Sequence, residues 1–268
     1  VGSSSSPRHI IGPPIPNRPP PVRMSSPRAL LLLLAALPGC TAAASGEALW
    51  PHSPSPTYVV TGATGRTGAL VYGMLKDAGV NVRGLVRNVT KAREVLKCGR
   101  CGESEGIFVG DISDKDALKA VMKGATGLAI VTSAMPHCEN FRDPTTCSYP
   151  AGQFPVDVDF NGGRNQIEAF AAASGGAPGP VVLCSMMGTT QPDPLSTGRM
   201  GFFKLNEEAF LMSAGVPYTI VKPCGLSNDG AFKRELRVGR DDEMHESPPM
   251  IPRADVARVM AAALLQPK

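Results

Sequence analysis

A chain of 268 residues has room for one α/β domain plus an additional segment, and a hydrophobic fraction of 43% supports a substantial core. The formal net charge of +4 comes mostly from the amino-terminal tail, where four Arg and one Glu precede Thr57. The rest of the chain is nearly neutral, which disfavours a nucleic-acid-binding face.

The tail divides into three stretches. Residues 1–23 are rich in Ser and Pro and do not begin with Met, which predicts disorder or read-through upstream of Met24. Residues 24–44 combine Arg28, a short apolar run and an Ala-rich end, the layout of a cleaved targeting signal. The run is too short for a stable membrane span, and a lipid anchor on Cys40 or plain disorder are the alternatives. Residues 45–56 form a linker to the folded part, 57–268.

The stretch TYVVTGATGRTG, residues 57–68, predicts a strand, a tight glycine turn and a helix start. Gly62 permits the turn, Gly65 leaves room for a pyrophosphate and Gly68 allows close packing of the helix. The following helical periodicity, closed by Gly79, supports a dinucleotide site over an accidental glycine-rich turn. The expected cofactor contacts in this turn are Gly62, Thr64, Gly65, Arg66, Thr67 and Gly68.

Beyond this turn, predicted strands alternate with predicted helices. The strands are Val82–Val86, Ile107–Val109, Leu128–Val131, Val181–Cys184 and Tyr218–Val221. The helices are Lys91–Leu96, a helix opened by a capping box of Ser113 and Asp116, Asp159–Ser174, Phe203–Ala214 and Arg253–Leu265. Residues 133–154 lack periodicity and predict a long loop near the cofactor. The order predicts an α/β fold, a Rossmann-type doubly wound parallel sheet with a small carboxyl-terminal substrate lobe.

The end of the second strand decides which dinucleotide is held, because it lies beside the adenosine ribose. This strand ends in Arg87, and Arg66 adds a second positive charge, so NADP is favoured over NAD. The alternative is that Arg87 is a solvated strand-end charge. Asp111 and Ile112 follow the third strand and are expected to bracket the adenine ring, unless Asp111 is an ordinary loop residue before a helix cap.

Further cofactor contacts are expected where other strands end, because open α/β sheets bind ligands at that edge. Thr132 and Ser133 follow the fourth strand, and Lys222 follows the sixth.

The seven cysteines are odd in number and scattered, which predicts a poor disulfide framework and a reducing compartment. Cys98 and Cys101 are expected to be incidental thiols, with a regulatory disulfide as the alternative. A zinc site would need Cys138 and Cys147 as the second pair, and these two are not spaced as a close pair, which disfavours zinc. His137 and His245 have no visible partner in the sequence, so no metal is assigned. The acidic residues 241–243 are expected on a solvated face or in a turn, with a part in shaping the substrate lobe as the alternative.

The segments TGATGRTG, VRGLVRN, VGDISD, VVLCSMMG, VPYTIVKPCGL and RELRVGRDDE with IPRADVARV resemble the atypical short-chain dehydrogenase/reductase family. The resemblance extends from Thr57 to Leu265 and is greatest to NmrA-like NAD(P)-binding proteins of plants and algae. Many of these are plastid-located, which implies a plastid destination, with the secretory pathway as the alternative. A final strand usual in such proteins would lie beyond Lys268, so a fragment is expected.

The resemblance also implies a departure from the usual catalytic residues. Members reduce ketones with a Tyr, a Lys four residues later and a Ser. Phe202 stands at the Tyr position and Asn206 at the Lys position, while Ser185 matches the Ser. Ser185 is therefore the candidate catalytic residue, with a backbone hydrogen bond as its alternative role. Lys204 is expected to be a solvated helix charge.

Two classes of function follow. The first is an NADP(H)-dependent oxidoreductase that acts on a small molecule without the Tyr-Lys pair. The second is a non-catalytic NADP(H)-sensing regulator that binds a protein partner.

Overall fold

The computed structural model describes residues 55–140, 143, 146–174, 178–191, 199–239, 242 and 250–266. The predictions for residues 1–23, 24–44 and nearly all of the linker 45–56 lie outside the described residues, as do those for Asp241, Glu243 and His245. Among the helices that are described, none is long and apolar enough to cross a membrane.

A six-stranded parallel sheet forms the centre of the described structure. Its strands are β1 (Thr57–Thr61), β2 (Asn81–Val86), β3 (Ile107–Val109), β4 (Gly127–Ile130), β7 (Val181–Cys184) and β8 (Tyr218–Val221). Small sheets are formed by the antiparallel strands β5 (His137–Cys138) and β6 (Cys147–Ser148) and by the parallel strands β9 (Gly225–Ser227) and β10 (Met250–Pro252). The main sheet has the order β3-β2-β1-β4-β7-β8, so the chain order reverses between β1 and β4. The predicted doubly wound sheet is confirmed.

Helices cover both faces of this sheet. They are α1 (Gly68–Asp77), α2 (Val89–Leu96), α3 (Lys115–Met122), α4 (Gly163–Ala173), α5 (Met200–Ser213) and α6 (Arg253–Leu265). Val60 packs with apolar side chains of α1 and α6, whereas Val59 packs with those of α3, α4 and α5. Successive strand residues point to opposite faces, which explains why the buried strands are continuously apolar.

The start of α3 differs from the prediction. Its cap is Asp114, whose carboxylate accepts hydrogen bonds from the amides of Asp116 and Ala117 at 2.9 and 3.1 Å. The predicted capping box of Ser113 and Asp116 is wrong, because the Ser113 hydroxyl donates to Asp111 at 2.7 Å instead.

The helix predicted from Asp159 begins earlier, with a π-helical segment, Val156–Gly162, that continues into α4. Such segments are rare and change the direction in which side chains point. Here the side chain of Asp159 is fully buried.

Disulfides join Cys98 to Cys101 and Cys138 to Cys147, so the prediction of a poor disulfide framework is wrong. At Cys98 and Cys101 the structure has the disulfide that was the alternative to incidental thiols. The second bond lies in the stretch predicted as a loop, where β5 and β6 pair Cys138 directly with Cys147. Residues nine apart in sequence are neighbours only once this hairpin forms, so spacing alone did not reveal the pair.

Candidate functional site

The turn between β1 and α1 is too tight for side chains at two positions. Gly62 has φ of +67°, and a Cβ there would lie 2.7 Å from the Val131 carbonyl oxygen. A Cβ on Gly68 would overlap the Gly62 carbonyl, and the Gly65 amide donates to the same oxygen at 2.8 Å. This turn therefore lies directly against the end of β4, at the point where the strand order reverses.

The turn also presents unused donors at the start of α1. Among the described residues, the Arg66 and Thr67 amides donate no backbone hydrogen bond. Unpaired amides at a helix N-terminus, together with the helix dipole, favour an anion such as a pyrophosphate. The turn residues fit a dinucleotide, while the individual contacts, including that of Thr64, stay predictions.

The predicted ribose end brings Arg87 and Asp111 together. Their charged groups are 3.8 Å apart, with 63% of the Arg87 and 43% of the Asp111 side chain exposed. An ion pair this exposed is weak, so Arg87 remains available to a phosphate. Ile112 packs so closely on Gly162 that a Cβ on the glycine would overlap it. The proposed adenine contacts of Asp111 and Ile112 stay predictions.

Thr132, which follows β4, is fixed by hydrogen bonds from two side chains. The carbonyl of Thr132 accepts from Lys204 at 3.1 Å, and its hydroxyl accepts from Gln166 at 3.2 Å. The next residue, Ser133, is exposed at the same sheet edge. Both predicted cofactor contacts therefore lie beside the glycine turn.

Lys204 belongs to a buried ion cluster, and its prediction as a solvated helix charge is wrong. Its ammonium lies 3.0 Å from Asp159 and 2.9 Å from Glu207, and only 2% of its side chain is exposed. The other Asp159 oxygen accepts from the Ala134 amide at 3.0 Å. The ammonium donates hydrogen bonds to Glu207 and to the Thr132 carbonyl, while Asp159 pairs with it by charge. Lys204 therefore ties α5 and the π-helical segment to the end of β4.

Burial and neighbouring charges together shift the pKa values in this cluster. It raises the pKa of Glu207 to about 7, although the Lys204 ammonium opposes the shift. Burial would lower the pKa of Lys204, but the two carboxylates outweigh it and raise that pKa. Burial also raises the pKa of the adjacent Cys184 thiol to about 11.

A second polar group, which we call the Ser185 cluster, lies where β7 and β8 end. It comprises Ser185, Thr189, Glu208, Lys222 and Asp242. The Ser185 and Thr189 hydroxyls both donate to Glu208. The Lys222 ammonium lies 3.2 Å from Glu208 and 3.1 Å from Asp242, and it also donates to Thr189. The Ser185 hydroxyl thus donates to a carboxylate rather than to the backbone. Lys222, which was predicted to contact the cofactor together with Thr132 and Ser133, lies in the Ser185 cluster.

Asp242 is not on a solvated face, since its side chain is only 2% exposed. Burial alone would raise its pKa, but hydrogen bonds from Thr190 and Lys222 outweigh burial and lower that pKa. Asp242 is buried because it pairs with Lys222 at the end of β8.

The candidate Tyr and Lys positions lie on α5. Phe202 is half exposed, and the Asn206 side chain donates to its carbonyl at 2.7 Å. The buried carboxylates Glu207 and Glu208 were not predicted from the sequence, although two adjacent Glu residues in a mostly apolar helix were a usable signal. No group of three or more His, Cys, Asp or Glu within the described ranges is placed to hold a metal ion.

Comparisons with known proteins identify the family and the fold. Residues 62–267 match the model of a family described as NAD(P)H-binding. An uncharacterized chloroplastic protein of Arabidopsis thaliana is 38% identical over 219 residues, which cover 78% of this chain but 65% of that protein. Sanguinarine reductase of Eschscholzia californica is 33% identical over 237 residues, covering 78% and 84%. A solved structure, a putative NAD-dependent epimerase/dehydratase from Bacillus halodurans, shares the fold with a TM-score of 0.61 at 21% identity, covering 79% and 88%.

Proposed function

Because the chain belongs to the NAD(P)H-binding family, we propose that it is an NADPH-dependent reductase whose reacting centre is the Ser185 cluster. The choice of NADPH over NADH is supported by the exposed, weakly paired guanidinium of Arg87 at the end of β2. The unpaired amides of Arg66 and Thr67 support a pyrophosphate at the turn.

The position of Lys222 carries the proposal. Its side chain is 25% exposed in a cluster otherwise almost buried, at the sheet edge where open α/β sheets bind their ligands. When bound, NADPH supplies a hydride. Lys222 stabilises the negative charge that develops on the acceptor until a proton from water neutralises it, while Glu208 holds Ser185 and Thr189 in place.

A second candidate is a regulator that binds NADP(H) without turnover. Phe202 has no proton to donate where related enzymes carry a Tyr, and the Ser185 hydroxyl proton is already directed at Glu208. These two observations favour binding without chemistry.

The test is NADPH consumption by the full chain with quinones, carbonyl compounds and sanguinarine, the compound in the name of one relative. We expect turnover with at least one acceptor, and a roughly 100-fold lower kcat/KM in Lys222→Met because charge stabilisation is lost. Exposed Lys119→Met is the matched control and should be silent. NADPH binding without turnover of any acceptor would support the regulator, whereas full activity in Lys222→Met would place the reacting centre elsewhere.

We also propose a plastid location. The support is the chloroplastic relative, which is 38% identical. A fluorescent fusion to the carboxyl terminus of the full chain should accumulate in plastids, and accumulation in the secretory pathway would contradict this.

A further inference from the structure

We propose that Arg253, the first residue of α6, binds the pyrophosphate of the dinucleotide together with Arg66. The inference rests on the proposed cofactor binding and adds a residue from the far end of the chain to that site. It follows from helix placement, burial and charge.

Helices α1 and α6 begin at the same edge of the sheet. Pro252 pairs with Ser227, which follows the end of β8, so α6 starts at the carboxyl-terminal edge of the strands. At its other end, Leu264 reaches Gly127, the first residue of β4. Helix α1 also starts at the carboxyl-terminal edge, and the two helices pack side by side on one face. Arg253 and Arg66 therefore stand at neighbouring helix N-termini.

The Arg253 guanidinium is held without a compensating charge. Only 9% of the residue is exposed, and its Nη1 donates to the Leu226 carbonyl at 3.2 Å and to the Asn228 side chain at 2.8 Å. Both acceptors are neutral. Burial lowers the pKa of Arg253, and the positive charge of Arg66 lowers it further, in keeping with the neighbouring positions of the two helix N-termini.

The nearest carboxylate on the same helix is used elsewhere. Asp255, in the first turn of α6, pairs with Arg258 and accepts from the Phe232 amide at 3.2 Å. Within the described part of the chain, no acidic side chain lies at ion-pair distance from Arg253. A buried arginine at the positive end of a helix, beside a second arginine, is unfavourable unless an anion joins them.

The positions of Arg253 and Arg87 indicate that they contact different phosphates of the dinucleotide. Helix α6 packs against β4, β7 and β8, on the opposite side of β1 from Arg87. Arg87 is placed for a 2′-phosphate, which only NADPH carries. Arg253 lies near the glycine turn, where a pyrophosphate common to NADPH and NADH would bind. A purely structural role would instead be to fasten α6 to the segment after β9 through Leu226 and Asn228.

Calorimetric titration of the full chain with NADPH and NADH separates these roles. We expect Arg253→Gln to weaken both by the same factor, roughly 10- to 100-fold, as for loss of a charged hydrogen bond. Arg253→Lys should restore part of the affinity, and Arg87→Ala should weaken NADPH alone. Arg93→Gln, a loss of an exposed charge on α2, should leave both affinities within about threefold.

A second variant covers a failure of Arg253→Gln to fold. Asn228→Ala removes the structural hydrogen bond but keeps the charge, so both affinities should be retained. The inference about Arg253 would be overturned if Asn228→Ala lost as much affinity as Arg253→Gln, or if Arg253→Gln kept its full affinity. Either result would leave the proposed function intact. A wild-type chain that binds neither dinucleotide would overturn the proposed function as well.

Discussion

The buried carboxyl of Glu207 makes the stability of the protein depend on pH. Its pKa is raised from 4.5 to about 7 by burial, so the folded state favours the protonated form. The stability that this group contributes is therefore fully present below about pH 4.5 and is lost as the pH rises through 7. The side chain in Glu207→Gln cannot ionise. As the pH rises from 5 to 8, the free energy of unfolding of this variant should therefore increase by about 1–3 kcal/mol relative to that of the wild type.

Urea unfolding at pH 5 and pH 8 measures this difference. Glu168→Gln is the matched control, because Glu168 lies half exposed in a 3.0 Å pair with Arg164 on the surface of α4. Its effect should be nearly the same at both pH values. The same pH dependence in Glu207→Gln and the wild type would contradict the assignment of the charge state.

At the same scale, Lys204 shows where prediction from sequence stops. Helical spacing correctly placed Lys204 and Phe202 on different sides of α5. It did not reveal that the side carrying Lys204 is buried. The buried partner Asp159 lies 45 residues earlier and reaches Lys204 only through the π-helical segment. The glycine turn was predictable because its constraints are local, whereas both ion clusters depend on contacts between distant elements.

Among the elements, the six strands of the main sheet were predicted within about one residue, whereas the four short strands β5, β6, β9 and β10 were not predicted. Strands such as Ile107–Val109 are short apolar runs between turn residues, so their signal is contained in the run itself. The hairpin of β5 and β6 has two residues in each strand and no periodicity. A hairpin this small is only marginally stable by itself, so its disulfide and its surroundings determine its structure.

Removal of the Cys138–Cys147 bond should therefore loosen the hairpin. The double variant Cys138→Ser with Cys147→Ser is expected to lose about 2–3 kcal/mol of unfolding free energy, because the unfolded chain regains loop entropy. Hydrogen exchange should accelerate at the amides of Glu139 and Asn140, which donate across the hairpin to Thr146.

The matched control is the Cys98→Ser, Cys101→Ser pair, whose disulfide spans three residues instead of nine. It should leave hydrogen exchange in the hairpin unchanged. Unaltered exchange in the Cys138, Cys147 variant would show that packing, rather than the disulfide, orders this segment.

For the whole molecule, the parallel sheet explains why so many separate segments meet at one edge. The glycine turn follows β1, Thr132 follows β4 and Ser185 follows β7, because all parallel strands end on the same side. Helix α6 begins there as well, although it is the last described element of the chain. A ligand at this edge thus connects the first strand with the last helix.

Binding at such an edge should stabilise the entire domain. At 100 times its dissociation constant, NADPH should add about 2.7 kcal/mol and raise Tm by roughly 5–10 °C. NADH should raise Tm less, since it lacks the phosphate expected to contact Arg87. In Arg87→Ala the two cofactors should become equivalent, while exposed Arg93→Ala on α2 should retain the difference. Thermal unfolding followed by circular dichroism measures each shift, and equal effects of NADPH and NADH on the wild type would rule out Arg87 as the residue that selects NADPH.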